Sequence, residues 1–127
     1  VSEEKKKHAY EIAEEFEWQN VRIEKTSLGY EDHGLLTAVI HCQGECWSQG
    51  FGCRNLANPA AFQNFVSGVL KALRVDSWEQ LEGKLARVGK KKDAGLNGNI
   101  EAIRPIVDTG PIFAPTNDLE TDSGLYE

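Results

Sequence analysis

The chain has no run of about 18 consecutive apolar residues, the minimum for a membrane-spanning helix, and its opening Val1-Ser2-Glu3-Glu4-Lys5 reads as neither a signal peptide nor an anchor. A soluble, cytoplasmic protein with no membrane partner is expected. Cysteine is scarce: Cys42, Cys46 and Cys53 cannot all pair with one another and are too few for a disulfide framework, so reduced thiols are expected. Neither the P-loop spacing G-x-x-x-x-G-K-[ST] nor a dinucleotide-binding glycine fingerprint occurs. Basic side chains are missing altogether from residues 105–127, which hold five acidic ones.

At 127 residues with 40% hydrophobic content, the chain suffices for one core. The net charge of −6 is unevenly spread. Residues 1–33 carry nine acidic and five basic side chains, and residues 71–104 carry five acidic and eight basic. A pI near 5.1 argues against a protein that coats nucleic acid, which needs a clustered basic surface, although a local basic patch remains open.

The hydrophobic pattern gives the order of elements. Ser2 as cap, Glu3 and Glu4 in the first turn, and Ala9, Ile12, Ala13 and Phe16 at helical spacing predict an amphipathic helix over about residues 3–17. Val21 and Ile23, alternating with Arg22 and Glu24, predict an edge strand. Leu28 to Gly34 reads as a turn, and Leu35 to Ile40, apolar on both faces, as the central strand. Gln43 and Gly44 reverse the chain into a third strand, Cys46 to Cys53. There Trp47, Gln49, Phe51 and Cys53 share one face. Ser48, Gly50 and Gly52 lie on the other, where missing side chains let a second backbone or a ligand come close.

The main helix announces itself most clearly, with Asn58 as cap, Pro59 in the first position and a stripe of Phe62, Phe65, Val66, Val69, Leu70 and Leu73. Ser77 with Gln80 forms a capping box for a short turn that ends at Gly83. Strands at Lys84–Gly89 and Ile100–Arg104 follow, joined by a Lys90–Asn99 loop. The fold class is therefore α+β: an antiparallel sheet of about five strands with one main packed helix, in the order α-β-β-β-α-(short α)-β-β. Residues 1–104 are one domain, and 105–127 an extended acidic tail interrupted by Pro105, Pro111 and Pro115, with Ile106, Val107, Ile112 and Phe113 as anchors on its own domain or on a neighbouring copy.

Three constellations bear on chemistry. His41, Cys42, Cys46 and Cys53 are ligand types of a tetrahedral zinc site, but the paired C-x-x-C spacing is missing, so core packing is the favoured reading and no metal or cofactor is expected. The same cysteines with His33, oriented by Glu31 or Asp32, would make a nucleophilic pair, yet no nucleophile elbow surrounds them. Lys90, Lys91 and Lys92, extended by Arg87 and Arg104, could hold phosphates of a nucleotide or a nucleic acid, against the plainer reading of a solvated basic loop.

The stretch from Gln49-Gly50-Phe51-Gly52 through the helix to Leu73, then Asp76-Ser77-Trp78-Glu79-Gln80-Leu81-Glu82-Gly83-Lys84 and Arg87-Val88, resembles small proteins encoded by bacteriophages and prophages. Thr26–Leu28 and His33–Thr37 are similar to the same group, so the resemblance spans about residues 21–104; the cysteines depart from it. It implies a phage origin and no catalytic residue. The leading expectation is a non-catalytic phage accessory protein that binds a host or viral macromolecule, most readily a protein, for instance as an inhibitor of a defence system. Its binding residues are expected among Gln49, Gly50, Gly52, Arg54, Arg87, Lys90, Lys91 and Lys92. The alternatives are a small-ligand or nucleotide-binding, possibly hydrolytic, domain, and a virion or assembly component whose tail joins copies into an oligomer.

Overall fold

Alternating strand patterns and one apolar helical stripe combine into an open sheet with a helix laid across it. A computed structural model describes residues 8–31, 34–54, 59–95, 98–107, 110–115 and 124–127. In chain order the elements are α1 (Ala9–Ala13), β1 (Phe16–Tyr30), β2 (Leu36–Gly44), β3 (Trp47–Arg54), α2 (Pro59–Leu73), a 3-10 turn (Trp78–Leu81), β4 (Leu85–Lys91), β5 (Ala102–Pro105), β6 (Ile112–Phe113) and β7 (Leu125–Tyr126). The fold is α+β, a seven-stranded antiparallel sheet in the order β3-β2-β1-β4-β5-β6-β7, with one main helix.

The stripe of α2 meets one face of this sheet, called here the helix face. Phe62, Phe65, Val69 and Leu73 are buried against Ile23, Ala38, Ile40, Phe51, Val88 and Ile103. Each such side chain withdrawn from water contributes about 1.5–3 kcal/mol before the entropy of ordering is counted. Phe113 closes the cluster: its ring lies edge-on to Phe65 at 5.8 Å, and Gly68 lets it press against the helix, since a Cβ there would stand 2.3 Å from the ring. Helix α2 ends with Arg74 at φ +59 and with Val75 N–H donating to Leu70 O at 3.1 Å, a left-handed termination that usually takes glycine. Gln80 Oε1 accepts from Ser77 N–H at 3.0 Å, the predicted capping box. The predicted cap Asn58 lies outside the described residues, as do Ser2, Glu3 and Glu4.

Among the described residues, the opposite face is covered over only part of its width. Helix α1 places Ile12 in a second apolar cluster with Phe16, Ala102, Ile112 and Ala114, over the β4–β6 half.

Several expectations need correction. The Val21–Ile23 strand is not at an edge: β1 lies between β2 and β4 and runs for 15 residues. Its register breaks between Ile23 and Lys25, a bulge that transfers the buried side from odd to even positions and hides the strand's length from a simple period. The predicted Leu28–Gly34 turn shrinks accordingly, because β1 continues to Tyr30. The predicted central strand is interior, paired with both β1 and β3, while β4 holds the middle of the seven. The reversal before β3 falls at Glu45 and Cys46, where Cys46 has φ +67, rather than at Gln43 and Gly44. Lys90 and Lys91 are strand residues of β4, not loop residues. Gly89 does not end the strand: a Cβ there would come within 2.9 Å of Phe16 Cβ, so its bareness admits the neighbouring aromatic side chain.

The described part of the tail joins the same sheet. Ile112 pairs with Tyr126 and Phe113 with Leu125, and Ala9 N–H donates to Glu127 O at 3.2 Å. Of the four expected anchors, Ile112 and Phe113 are fully buried, whereas Ile106 is half-buried and Val107 is 53% exposed.

Candidate functional site

Register decides which side chains can act together. In β3, Trp47, Gln49, Phe51 and Cys53 pair with Gly44, Cys42, Ile40 and Ala38, on the helix face. Ser48, Gly50, Gly52 and Arg54 pair with Gln43, His41, Val39 and Thr37, on the far face. On β1 the far face continues with Arg22, Lys25 and Ser27, which pair with Gln43, His41 and Val39. These residues form one surface over the β1–β3 half. None belongs to either apolar cluster, and no described element packs on them.

The surface has a small-residue centre with a basic border. Val39 leans over the two glycines: a Cβ on Gly50 would stand 3.3 Å from Val39 Cγ1, and one on Gly52 would stand 2.7 Å from both Val39 Cγ2 and Ala38 O. Lys25, Arg22 and Arg54 surround this centre and are exposed. Arg54 is 3.7 Å from Glu31, a partly exposed pair of small energetic weight, and the Gln43 carboxamide donates to Glu24. Next to the border Leu85 is 49% exposed, and Arg87 Nε donates to Asn20 Oδ1 at 2.9 Å. Lys25, Arg22 and Arg54 thus outnumber the two carboxylates, Glu24 and Glu31, that meet this half-face, in a protein of net charge −6.

The residues expected to bind are divided by the fold. Gly50, Gly52 and Arg54 share the surface just described, and Arg87 lies at its margin. Gln49 faces the other way and works as a clamp, accepting from Ile100 N–H at 2.6 Å and donating to Gly98 O at 3.4 Å. Lys90 and Lys91 point to opposite faces. Lys90 is 6% exposed, its ammonium 4.0 Å from the centroid of the Trp47 ring, a cation–π contact. Lys91 reaches Glu15 at 3.3 Å and sits over the Phe16 ring, while Lys92 is exposed in the turn beyond. The lysine run therefore does not converge on one phosphate. Arg104, beside Arg87 across the β4–β5 ladder, is buried, donates to Gly110 O at 3.2 Å and lies 5.3 Å from the Trp18 ring. Burial first, and the Arg87 charge second, lower its pKa from the usual guanidinium value.

The metal and thiol readings find no geometry to support them. His41 and Cys42 are consecutive strand residues, directed to opposite faces. Cys42 is fully buried, and burial pushes its thiol up to about 12, away from the thiolate a nucleophile or ligand needs. Cys53 is raised as well, by burial, while Cys46 is exposed in the turn. His33 and Asp32 lie outside the described residues. Among the described residues no group of three His, Cys, Asp or Glu side chains is arranged to hold a metal. No helix in the described residues is long and apolar enough to cross a membrane.

An open cleft of about 460 Å³, lined by Lys71, Arg74, Gly110, Pro111, Leu125 and Glu127, contains none of the expected binding residues. Sequence reasoning missed Lys25, Val39 and Arg22 as members of the surface. The signal for Val39 was available, since it alternates with buried Ala38 and Ile40; the signal for Lys25 was erased by the bulge. Compared with known protein families, with curated proteins and with solved structures, the chain matches none of them.

Proposed function

We propose that the protein is a non-catalytic binding protein that engages another macromolecule, most readily a protein, through the uncovered β1–β3 half of its far face. The observation carrying this reading is the asymmetry of that face. One half is packed by α1, while the other presents Gly50, Gly52, Val39 and His41 inside a border of Lys25, Arg22 and Arg54 with nothing described upon it. Surfaces of this kind, small at the centre and charged at the rim, suit association. The basic border suits a partner whose contacting side is acidic.

The resemblance of the Gln49–Val88 stretch to small phage-encoded proteins supports an accessory role on a host or viral macromolecule, of which inhibition of a defence system is one form. The nucleotide reading draws less support, because Lys90 and Lys91 diverge. The assembly reading through the tail draws less as well, because the described tail residues pair within the chain.

Affinity capture from host lysate, with the native chain and with a Lys25→Glu, Gly50→Glu variant, tests the proposal. The native chain is expected to retain a specific partner that the variant loses. Identical captured material on both would overturn it.

A further inference from the structure

Resting on that reading, and deepening it, we infer that β3 is a docking edge at which an extended acidic segment of another protein adds as an eighth strand. The geometry of the backbone comes first. Gly44 and Trp47 flank a two-residue turn, and such a turn closes on a hydrogen-bonded pair. The bonds then alternate, so Trp47, Gln49, Phe51 and Cys53 direct their N–H and C=O groups to β2. The β1–β2 hairpin gives the same phase independently. Glu31 N–H donates to Leu35 O at 2.9 Å, which turns the odd residues of β2 toward β1 and the even ones toward β3. The backbone groups of Ser48, Gly50 and Gly52 consequently point outward from the sheet. All three residues are exposed, and none makes a backbone bond to any other described segment.

Proteins shield such edges with proline, lysine, bulges or brevity. Strand β3 uses none of these: it has eight residues, no proline or lysine, and an unbroken register with β2. Main-chain bonds along it would supply affinity, and pockets for alternate side chains would supply specificity.

The identity of the incoming strand follows from what lies beside the edge. On the far face β3 offers only a serine and two bare glycines before Val39, so alternate side chains of an added strand reach across to the Val39 methyl groups. A bulky apolar residue fills that position. A second copy of this chain does not, because antiparallel pairing of two β3 strands about a two-fold axis brings serine and glycine there again. Lys25 beside the strip, with Arg54 at its end shared with Glu31, favours carboxylates on the incoming segment. Single-stranded nucleic acid is disfavoured, since successive bases need a row of aromatic platforms and the described residues of this half-face present a single small ring, the His41 imidazole.

Selection of a displayed library of short random peptides on the full chain tests this. Enriched peptides are expected to alternate bulky apolar with other residues and to be rich in Asp and Glu. Their affinity should fall about tenfold or more in Ser48→Pro, which removes an outward donor, and in Gly50→Lys. Gly50→Lys serves if Ser48→Pro does not fold, and urea unfolding reports which variants do. The inference is overturned by peptides that bind both folded variants as tightly as the native chain, by no enrichment at all, by binding of a labelled single-stranded oligonucleotide in place of peptide, or by a native dimer in sedimentation that Ser48→Pro dissolves. Lysate capture separates the two proposals. A partner lost in Lys25→Glu but kept by Ser48→Pro defeats the edge and leaves the face, whereas a partner kept by both defeats the face as well.

Discussion

The two ends of the sheet are finished in opposite ways. At one end β7 is two residues long, follows a two-residue β6, and has α1 tied to it by the bond from Ala9 N–H to Glu127 O. At the other end β3 is eight residues long and has no described neighbour beyond it. Edges invite unwanted pairing, so the difference between a short edge tied to α1 and a long edge with no described neighbour is the observation on which the proposed docking of a partner strand rests. Coverage of the far face follows the same division among the described residues: apolar and packed by α1 over β4–β6, polar and without a described cover over β1–β3.

The largest effect should come from breaking the closed end. Phe113 stands between Phe51, Phe65 and the bare Cα of Gly68, fully buried, so Phe113→Ala should cost about 3–5 kcal/mol in urea unfolding. A loss below about 1 kcal/mol would mean that the tail strands do not belong to the core.

At the open end the two glycines should separate. Gly52→Ala brings a Cβ against the Ala38 carbonyl and should cost about 1–3 kcal/mol, whereas Gly50→Ala asks only a slight shift of Val39 and should stay within about 1 kcal/mol. Equal costs would contradict the assigned register. Below this edge, Cys42 links stability to pH. Its thiol is raised from 9.0 to about 12 in the folded chain, so its contribution is complete below pH 9 and is lost as pH rises from 9 toward 12. Native stability should therefore fall more steeply above pH 9 than that of Cys42→Ala, by at most about 1.4 kcal/mol per pH unit. Parallel slopes would show that the thiol is not buried.

The smallest effect lies near the closed end, at the last turn of α2. Arg74 holds φ +59 without a glycine's freedom, so Arg74→Gly should stabilise by about 0.5–1 kcal/mol, read as a rise in the urea midpoint. A destabilised variant would show that the arginine side chain holds that end in place.

How much of this was legible in the sequence depended on whether one element's own pattern decided its place. The α2 stripe and the β3 alternation were legible, because apolar residues at period 3.6 or period two can be buried in only one way. The seven-strand count was not, since β6 and β7 are two residues each and gain their partners from long-range pairing rather than from any periodicity. The interior position of β1 was hidden by its bulge, and the lysine run was misplaced because Gly89 reads as the end of a strand, whereas it makes room for Phe16 and Trp18 within β4. Of the candidate site, the glycine strip was visible in advance. Its basic border was not, because it is assembled from β1 and the end of β3 by register alone.

Amide hydrogen exchange along β3, read residue by residue by NMR in the free chain, bears most directly on the bare edge. Fast exchange at Ser48, Gly50 and Gly52 alternating with slow exchange at Gln49, Phe51 and Cys53 is the predicted result. Uniform protection through all six in the free protein would show that the edge is already occupied, and would contradict the account.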